Sequence, residues 1–543
     1  MMNQVKKTAL FLGLISILIA QTGFAQKPQL DPEQISFSIP KNIYFGGERI
    51  WINAAAFSDD IPAPSQIIYA ELVNRYNESV AIAKMPLTDG VAFNFLRIPT
   101  NLPSDHYLLR VFTRVSPYLN LESGLVQQYV TIFNSSVPPE VVASRTAIKN
   151  SEPGDNLISI ATDQVQAGQT IEITLNQEVK DLELSVSVIN PFLANQKMIH
   201  SSDIYQSIAS RTLVPELFGH IVEARLDQEN PDTTQLYYLS VHGAKSALFT
   251  DRPDKNGSMF FDAGGMKNWR FMVAQANNNK SLLDLSIVSP APKTEFKADF
   301  TFPFLTISPS DQAFLQELLR GGQIEGYFVQ EFDSSPFPVV TGFVEDQTYN
   351  LDDYTRFESV EVVIKEYVPE VGVKTVQKRK EYRVLDRVRG AIFDDNPLML
   401  VDAMPVFDSD LLASFNPKGL QKLEVLTRNF YLNEEVFPGV ISFSSYKNDF
   451  GGFPIPTNGM YLDYQGILPK VLESENLFAP LSSESRIMDW RTVLFWSETG
   501  DSSISANKLT LKAPATKGKF KIQLVYQDSN GETQTTFKYF EVN

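Results

Sequence analysis

Apolar and polar residues alternate with period two through most of the chain, the pattern of strands that bury one face. The alternation runs through Ile35-Ser-Phe-Ser-Ile39, Arg49-Ile-Trp-Ile52 and His106 to Thr113. It returns in Asn156 to Ala161, Gly168 to Leu175, Leu182 to Ile189, Tyr237 to His242 and Trp269 to Gln275. Lys508 to Lys512, Lys519 to Tyr526 and Thr536 to Val542 carry it to the end. Turn-forming residues punctuate these runs: Gly46-Gly47, Asp89-Gly90 as a hairpin turn, Leu102 to Asp105, and Asp254 to Gly257 as a tight hairpin.

A helical period appears in few places. Ser310 is placed to cap a helix whose Phe314, Leu315, Leu318 and Leu319 form an apolar stripe, with Gly321-Gly322 as its stop. Thr355 and Glu358 have capping-box spacing ahead of Phe357, Val360, Ile364 and Tyr367, and Pro369 ends that run. A charged hairpin follows (Gly372 to Tyr382), then a buried strand at Pro397 to Asp402 and a short helix from Phe407. Strands at Leu423 to Arg428 and Gly439 to Ser445 complete an α+β island in a β chain.

The chain has 543 residues, too many for a single core, and domains of about 100 to 150 residues are expected. The expected division is a β-sandwich at 26–136, a second at 150–228, and a third β-rich unit with a short helix at 231–345. The α+β domain follows at 350–453, then C-terminal strands at 480–543 that could complete a sandwich. The fold class is mainly β, tandem Ig-like sandwiches with an inserted α+β domain. The abundance of Phe (38) and Tyr (20) suits such cores.

The formal charge is −17, which argues against nucleic acid or anionic lipid held by bulk electrostatics. The N-terminus reads as a secretory signal: Lys6 and Lys7, the apolar core Ala9 to Ala20, and small residues before a cleavage after Ala25. There is no cysteine, so no thiol nucleophile, thiolate metal site, lipid-anchoring Cys or thioester is available. These features point to an exported protein, soluble or held in place by a partner.

Some stretches resemble known families. Residues 35 to 134 carry Tyr44-Phe-Gly-Gly-Glu-Arg-Ile50, Asp89-Gly-Val-Ala-Phe93 and Leu102-Pro-Ser-Asp-His-Tyr-Leu-Leu-Arg-Val-Phe-Thr113; this resembles the MG2 macroglobulin-type domain, which implies a spacer or contact sandwich. The Asp254 turn resembles that of the small regulatory sandwich found beside carboxypeptidases. Within Tyr354 to Phe453, VIKEYVPEVGV, PLMLVDAMP, LQKLEVLTRNF and PGVISFSSY resemble the plug domain of TonB-dependent receptors. Ala403 departs from that pattern, which has Gly after the Asp, and so does Glu434-Glu435-Val436. A transport barrel needs about 22 strands of roughly ten residues, so the stretch after Phe453 is expected to supply no barrel. Together with the Asp489-Trp-Arg-Thr-Val-Leu-Phe-Trp496 end, the combination is similar to exported Bacteroidota proteins that join macroglobulin-type and plug domains, and it implies a docking or structural role in the periplasm, peripheral to the outer membrane.

Catalytic signals are sparse. The four histidines show no ligand spacing, and no G-x-S-x-G or H-E-x-x-H occurs. His106 reads as a strand residue, and His200 with His220 make no zinc site without a third ligand. Asp402, Asp408 and Asp410 could form a carboxylate pair for glycoside chemistry, although capping and turn roles suit such positions better. Asp254 to Gly257 lacks the closing Glu of a calcium loop. Trp490 and Trp496 read as core residues rather than a ligand platform. The expected function is therefore non-enzymatic, without cofactor or metal: an interaction or scaffolding module of the cell envelope, partnered by an outer-membrane or periplasmic protein. A soluble exported binder of peptide or glycan is the alternative. The residues expected to touch a partner are Lys374, Lys378, Arg379 and Lys380 on the basic hairpin.

Overall fold

A computed structural model describes residues 30–146, 148, 156–177, 180–194, 199–277, 283–324, 339–469, 471, 478, 489–497, 507–527 and 533–543. The expected signal and its cleavage site lie outside them. The described chain is mainly β, and among these residues no helix is long and apolar enough to cross a membrane.

The first unit packs two sheets face to face. One holds Gln34–Ser38, Arg49–Ser58, Ile61–Pro62 and Val91–Arg97; the other runs Ile43–Phe45, Val126–Phe133, Asp105–Thr113, Ile67–Val73, Ser79–Pro86. Inward residues such as Ile50, Ile52, Ile68, Leu72, Leu109 and Val130 form its core. Asp89 and Gly90 take left-handed φ values of +51° and +79°, as a tight turn requires. They do not join a hairpin, however. Val91–Arg97 crosses to the opposite sheet and pairs with Arg49–Ser58, because a sandwich closes only when strands change sheets. The turn at Asp254 to Gly257 behaves likewise: Lys245–Asp251 pairs with Tyr237–Gly243, whereas Ser258–Asp262 pairs with Ile221–Leu226 in the other sheet.

The second sandwich is assembled from distant segments. Lys180–Val188 pairs with Val493–Trp496 and Gly518–Gln527, and Thr170–Leu175 pairs with Lys508–Lys512. Its core joins Ile171, Ile173, Leu184 and Val186 to Leu509, Leu511, Phe520, Ile522 and Leu524. The expected unit at 150–228 is therefore corrected: its strands end at Val188, Phe192 still packs in its core, and Ile221–Leu226 belongs to the next unit. Local periodicity marks strands but not their partners, so sequence neighbours were grouped where long-range pairing joins the chain's middle to its end.

The helix Gln312–Ile324 follows a capping box made by Ser308 and Asp311, not Ser310, and continues through Gly321-Gly322. It lays Phe314, Leu315, Leu318 and Leu319 on the second sandwich. The glycines allow close approach, not termination. A Cβ on Gly321 would lie 2.6 Å from Thr492 Cγ2, and one on Gly322 2.4 Å from Glu48 Oε1.

The third unit stacks Ser258–Asp262, Ile221–Leu226 and Leu285–Val288 against Val339–Thr341, Lys245–Asp251, Tyr237–Gly243, Trp269–Ala276 and Met460–Asp463. The fourth is α+β. Its sheet runs Gln347–Asn350, Leu420–Leu426, Val440–Ser445, Leu398–Val401, Met404–Pro405, with helices Val360–Tyr367 and Ser409–Ser414 on one face. Ser359, rather than Thr355, caps the first helix. Leu398–Val401 is buried throughout because both faces of the sheet are covered. Met399 and Val401 meet the helical side with Val363, Ile364 and Leu412. Leu398, Leu400, Leu426 and Val440 meet Leu236, Tyr238 and Leu248 of the third unit.

Candidate functional site

The basic hairpin pairs Val371–Val376 with Arg379–Asp386. Gln377 and Lys378 have φ of +49° and +67°, left-handed at both turn positions, which matches the twist of the flanking strands. Lys374, Lys378 and Arg379 are exposed. Lys380 is engaged inside the unit: its Nζ lies 2.8 Å from the Glu361 carboxylate, and its amide donates to Asp410 Oδ1 at 2.7 Å. The expected contact surface thus presents Lys374, Lys378 and Arg379, with Lys380 serving as a tether to the helix behind.

The three aspartates do not form a carboxylate pair. Asp408 caps the helix Ser409–Ser414 by accepting from the amides of Asp410 and Leu411. Asp410 receives the Lys380 amide. Asp402 is fully buried and accepts from the Ser445 amide at 2.7 Å, Ser445 Oγ at 2.6 Å and the Phe450 amide at 2.7 Å. Burial nevertheless raises its pKa above the usual carboxylate range. Asp402 and Ala403 both have positive φ, +48° and +67°. Ala403 therefore stands where a left-handed turn residue is needed, the position at which the resembled pattern carries Gly.

A buried polar cluster surrounds His220, which sequence spacing did not single out. His220 Nδ1 lies 2.9 Å from Glu216 Oε1 and Nε2 lies 2.7 Å from the Tyr464 hydroxyl. Tyr69 donates to both Glu216 oxygens at 2.7 Å, and the Ile221 amide adds 2.8 Å to Oε1. A neutral imidazole with Nδ1–H donating to the carboxylate and Nε2 accepting from Tyr464 satisfies every contact. Burial lowers the His220 pKa in spite of Glu216. Burial alone would raise the Glu216 pKa, but its hydrogen bond from His220, the Arg114 charge and the Ile221 amide bring it below the usual range. Lys84 Nζ sits 4.1 Å over the Tyr464 ring and donates to the Gln465 carbonyl at 2.6 Å; burial draws its pKa down to about 8. The cluster is a carboxylate–imidazole–hydroxyl chain, but Tyr69, Glu216 and His220 are fully buried. Its members come from the first unit (Tyr69, Lys84), the third (Glu216, His220) and the Tyr464 segment, so it acts as a polar fastener. Only the Glu216–His220 spacing of four was visible in the sequence; Tyr69 and Tyr464 arrive by tertiary folding.

Other junctions are fastened in the same way. Lys41 bonds Glu48 at 2.5 Å and Thr492 at 3.0 Å. Arg110 bonds Glu71 at 2.6 Å and Thr294 at 2.9 Å. Arg114 and Arg211 both reach Glu223, and Arg252 pairs with Glu435. Asn448 donates to the Gly243 carbonyl at 2.7 Å.

His106 is buried, with Nδ1 2.9 Å from Thr131 Oγ1, and burial lowers its pKa to about 4. His242 is buried against Phe271 and Phe450, its pKa drawn down to about 3 by burial. His200 is exposed beside Glu122. Among the described residues no group of His, Asp and Glu is arranged to hold a metal ion. Trp496 is buried with Trp51, Phe93 and Phe95 and donates to Glu183 at 2.6 Å, while Trp490 carries the Arg320 guanidinium 4.6 Å over its ring. A small cleft lies where Lys41, Tyr44, Trp51, Gly321, Arg491 and Thr492 meet. The cations lining it are held by Glu48 and Asp489.

No protein-family model and no curated protein matches this chain. Among solved structures, it aligns with Salmonella alpha-2-macroglobulin reacted with methylamine at 10% identity, over 95% of this chain and 24% of that one, with a TM-score of 0.16. The native conformation of E. coli alpha-2-macroglobulin aligns at 8% identity, over 96% of this chain and 40% of that one, with a TM-score of 0.22. The two tandem V-type regions of VCBP3, a v-region-containing chitin binding protein, align at 10% identity over 48% of this chain and 98% of theirs, with a TM-score of 0.14. The chain spans well under half the length of those macroglobulins.

Proposed function

We propose that the chain is a non-enzymatic protein of the cell envelope, an interaction or scaffolding module on the periplasmic side of the outer membrane, associated with a barrel or a transport or secretion assembly. The observation that carries this reading is the placement of the reactive-looking groups. Glu216, His220 and Tyr69 are buried and bonded to one another, and Asp402 is buried and bonded to Ser445 and Phe450, which supports a role in holding the fold together rather than in turning over a substrate. The signal-like N-terminus and the plug-like motifs between Tyr354 and Phe453 support the compartment and the class of partner. Crosslinking in intact cells tests it. The expected outcome is recovery of an outer-membrane or periplasmic protein and co-fractionation with the envelope. A mature chain that stays in the soluble fraction and yields no envelope crosslink refutes it.

A second reading, an exported binder of glycan, draws on one surface feature. Phe304 is 82% exposed and Tyr76 76% exposed, and Arg75, next to Tyr76 in the chain, stacks 5.1 Å over the Phe304 ring. Glycan-array binding abolished by Phe304→Ala supports that reading, and a flat array removes it.

A further inference from the structure

The hairpin strand Val371–Val376 lies at the edge of its sheet, paired with Arg379–Asp386 alone. In an antiparallel pair, residues alternate between those whose N–H and C=O bond the neighbour and those whose groups point away. The amides across the ladder identify which are which. The Lys380 amide donates to Asp410 and the Tyr382 amide to Asn396, both away from the hairpin partner, and the Val384 carbonyl accepts from Phe393. Lys380, Tyr382 and Val384 therefore sit in non-bonded pairs, and so do Thr375, Val373 and Val371 opposite them. Val371 gives its outward N–H to the Val368 carbonyl. No described residue takes the outward amides of Val373 and Thr375. An edge with open donors and acceptors is a template for another strand.

The outward face of the same ribbon is cationic. Lys374, Arg379 and Arg383 lie on it, Lys378 stands at the turn, and Glu381 is its carboxylate, bonded to Arg383. No ion pair within the described residues engages Lys374, Lys378 or Arg379. This local charge stands against a formal charge of −17 for the chain, so it opposes the protein's general field. Lysines on an edge deter self-pairing of like strands and at the same time select a strand of opposite charge.

We propose that Val371–Val376 is a docking edge that accepts an extended acidic segment of a partner protein as an added strand. Backbone bonds go to Val373 and Thr375, and alternate carboxylates reach Lys374, Lys378 and Arg379. The inference rests on the scaffolding reading and names the chemistry of its partner.

The test uses the full mature chain and a fluorescent peptide of about ten alternating Glu and Val residues, with a Gln–Val peptide as control. The acidic peptide is expected to bind, to weaken with salt, and to protect the Val373 and Thr375 amides from exchange. The Gln–Val peptide is expected to bind more weakly. Charge reversal at the exposed residues (Lys374→Glu, Lys378→Glu, Arg379→Glu) is expected to weaken binding about tenfold or more. Thr375→Pro removes an outward N–H that the hairpin ladder does not use and is expected to cost about fivefold. Unchanged protection at Glu381 and Arg383 shows that the hairpin remains folded in each variant. Three results overturn the proposal: Val373 and Thr375 already protected in the free chain, equal binding of both peptides, or binding to phosphatidylglycerol vesicles but to neither peptide. Envelope crosslinks that survive the charge reversal defeat this inference and leave the scaffolding reading standing, whereas their absence from the unaltered chain defeats that reading itself.

Discussion

Replacing Asp402 by Ala removes the acceptor for the Ser445 amide, the Ser445 hydroxyl and the Phe450 amide. The site is fully buried; the Ser445 hydroxyl can turn to Asp449 Oδ1 at 3.4 Å, and the two orphaned amides, at about 1.5 kcal/mol each, give a local cost of about 3 kcal/mol. Asp402→Asn behaves differently. One oxygen still accepts from the Ser445 amide, and the Ser445 hydroxyl can rotate to accept from the new NH2. The Phe450 amide then faces a donor, for a cost of about 1 kcal/mol. Asn also tolerates the left-handed φ of +48°. Native-state hydrogen exchange over the peptide spanning 440–453 reads the difference directly. The expected acceleration is about a hundredfold for Asp402→Ala and five- to tenfold for Asp402→Asn, by the exponential relation between opening free energy and exchange. If Asp402→Ala accelerated exchange less than about threefold, or if the two variants were indistinguishable, the carboxylate would not be the latch between the 402 turn and the 445–450 segment.

Burial holds His106 and His242 below their ordinary pKa, at about 4 and about 3. With the folded pKa depressed, their contribution is present above about pH 6.5 and is lost as pH falls toward those values. On the order of 3 kcal/mol is at stake for His106, and thermal melts at descending pH, shallower in His242→Gln, measure the loss. Tyr464→Phe leaves His220 Nε2 without its donor and is expected to cost about 1 to 3 kcal/mol; calorimetry checks it, and an unchanged melting curve excludes the fastening role. Leu400→Ala opens a cavity between the fourth unit's sheet and Tyr238 and Leu248. It is expected to cost about 2 to 5 kcal/mol, seen as faster exchange on both sides of that junction and not in the first sandwich.

The sequence by itself determined what depends on neighbours in the chain. Alternation located strands such as Thr170–Leu175 and Tyr237–Gly243, because side-chain direction in a strand follows residue parity. The charged hairpin within Gly372 to Tyr382, its cations Lys374, Lys378 and Arg379, and the capping role of Asp408 were legible from local pattern, whereas the left-handed pair at its tip, Gln377-Lys378, came only with the structure. The run Leu398–Val401 read as buried, although only the structure shows that its alternate residues serve different cores. Tertiary structure alone decided what depends on meetings between distant segments. Thr170–Leu175 finds Lys508–Lys512, Gly321 lets a helix press on Thr492, and Lys380 pairs with Glu361 of the helix behind the hairpin. Tyr69, Glu216, His220 and Tyr464 form one network only when first-unit, third-unit and later strands converge. A buried donor or acceptor must find a partner wherever the fold provides one, and no short-range pattern encodes that choice.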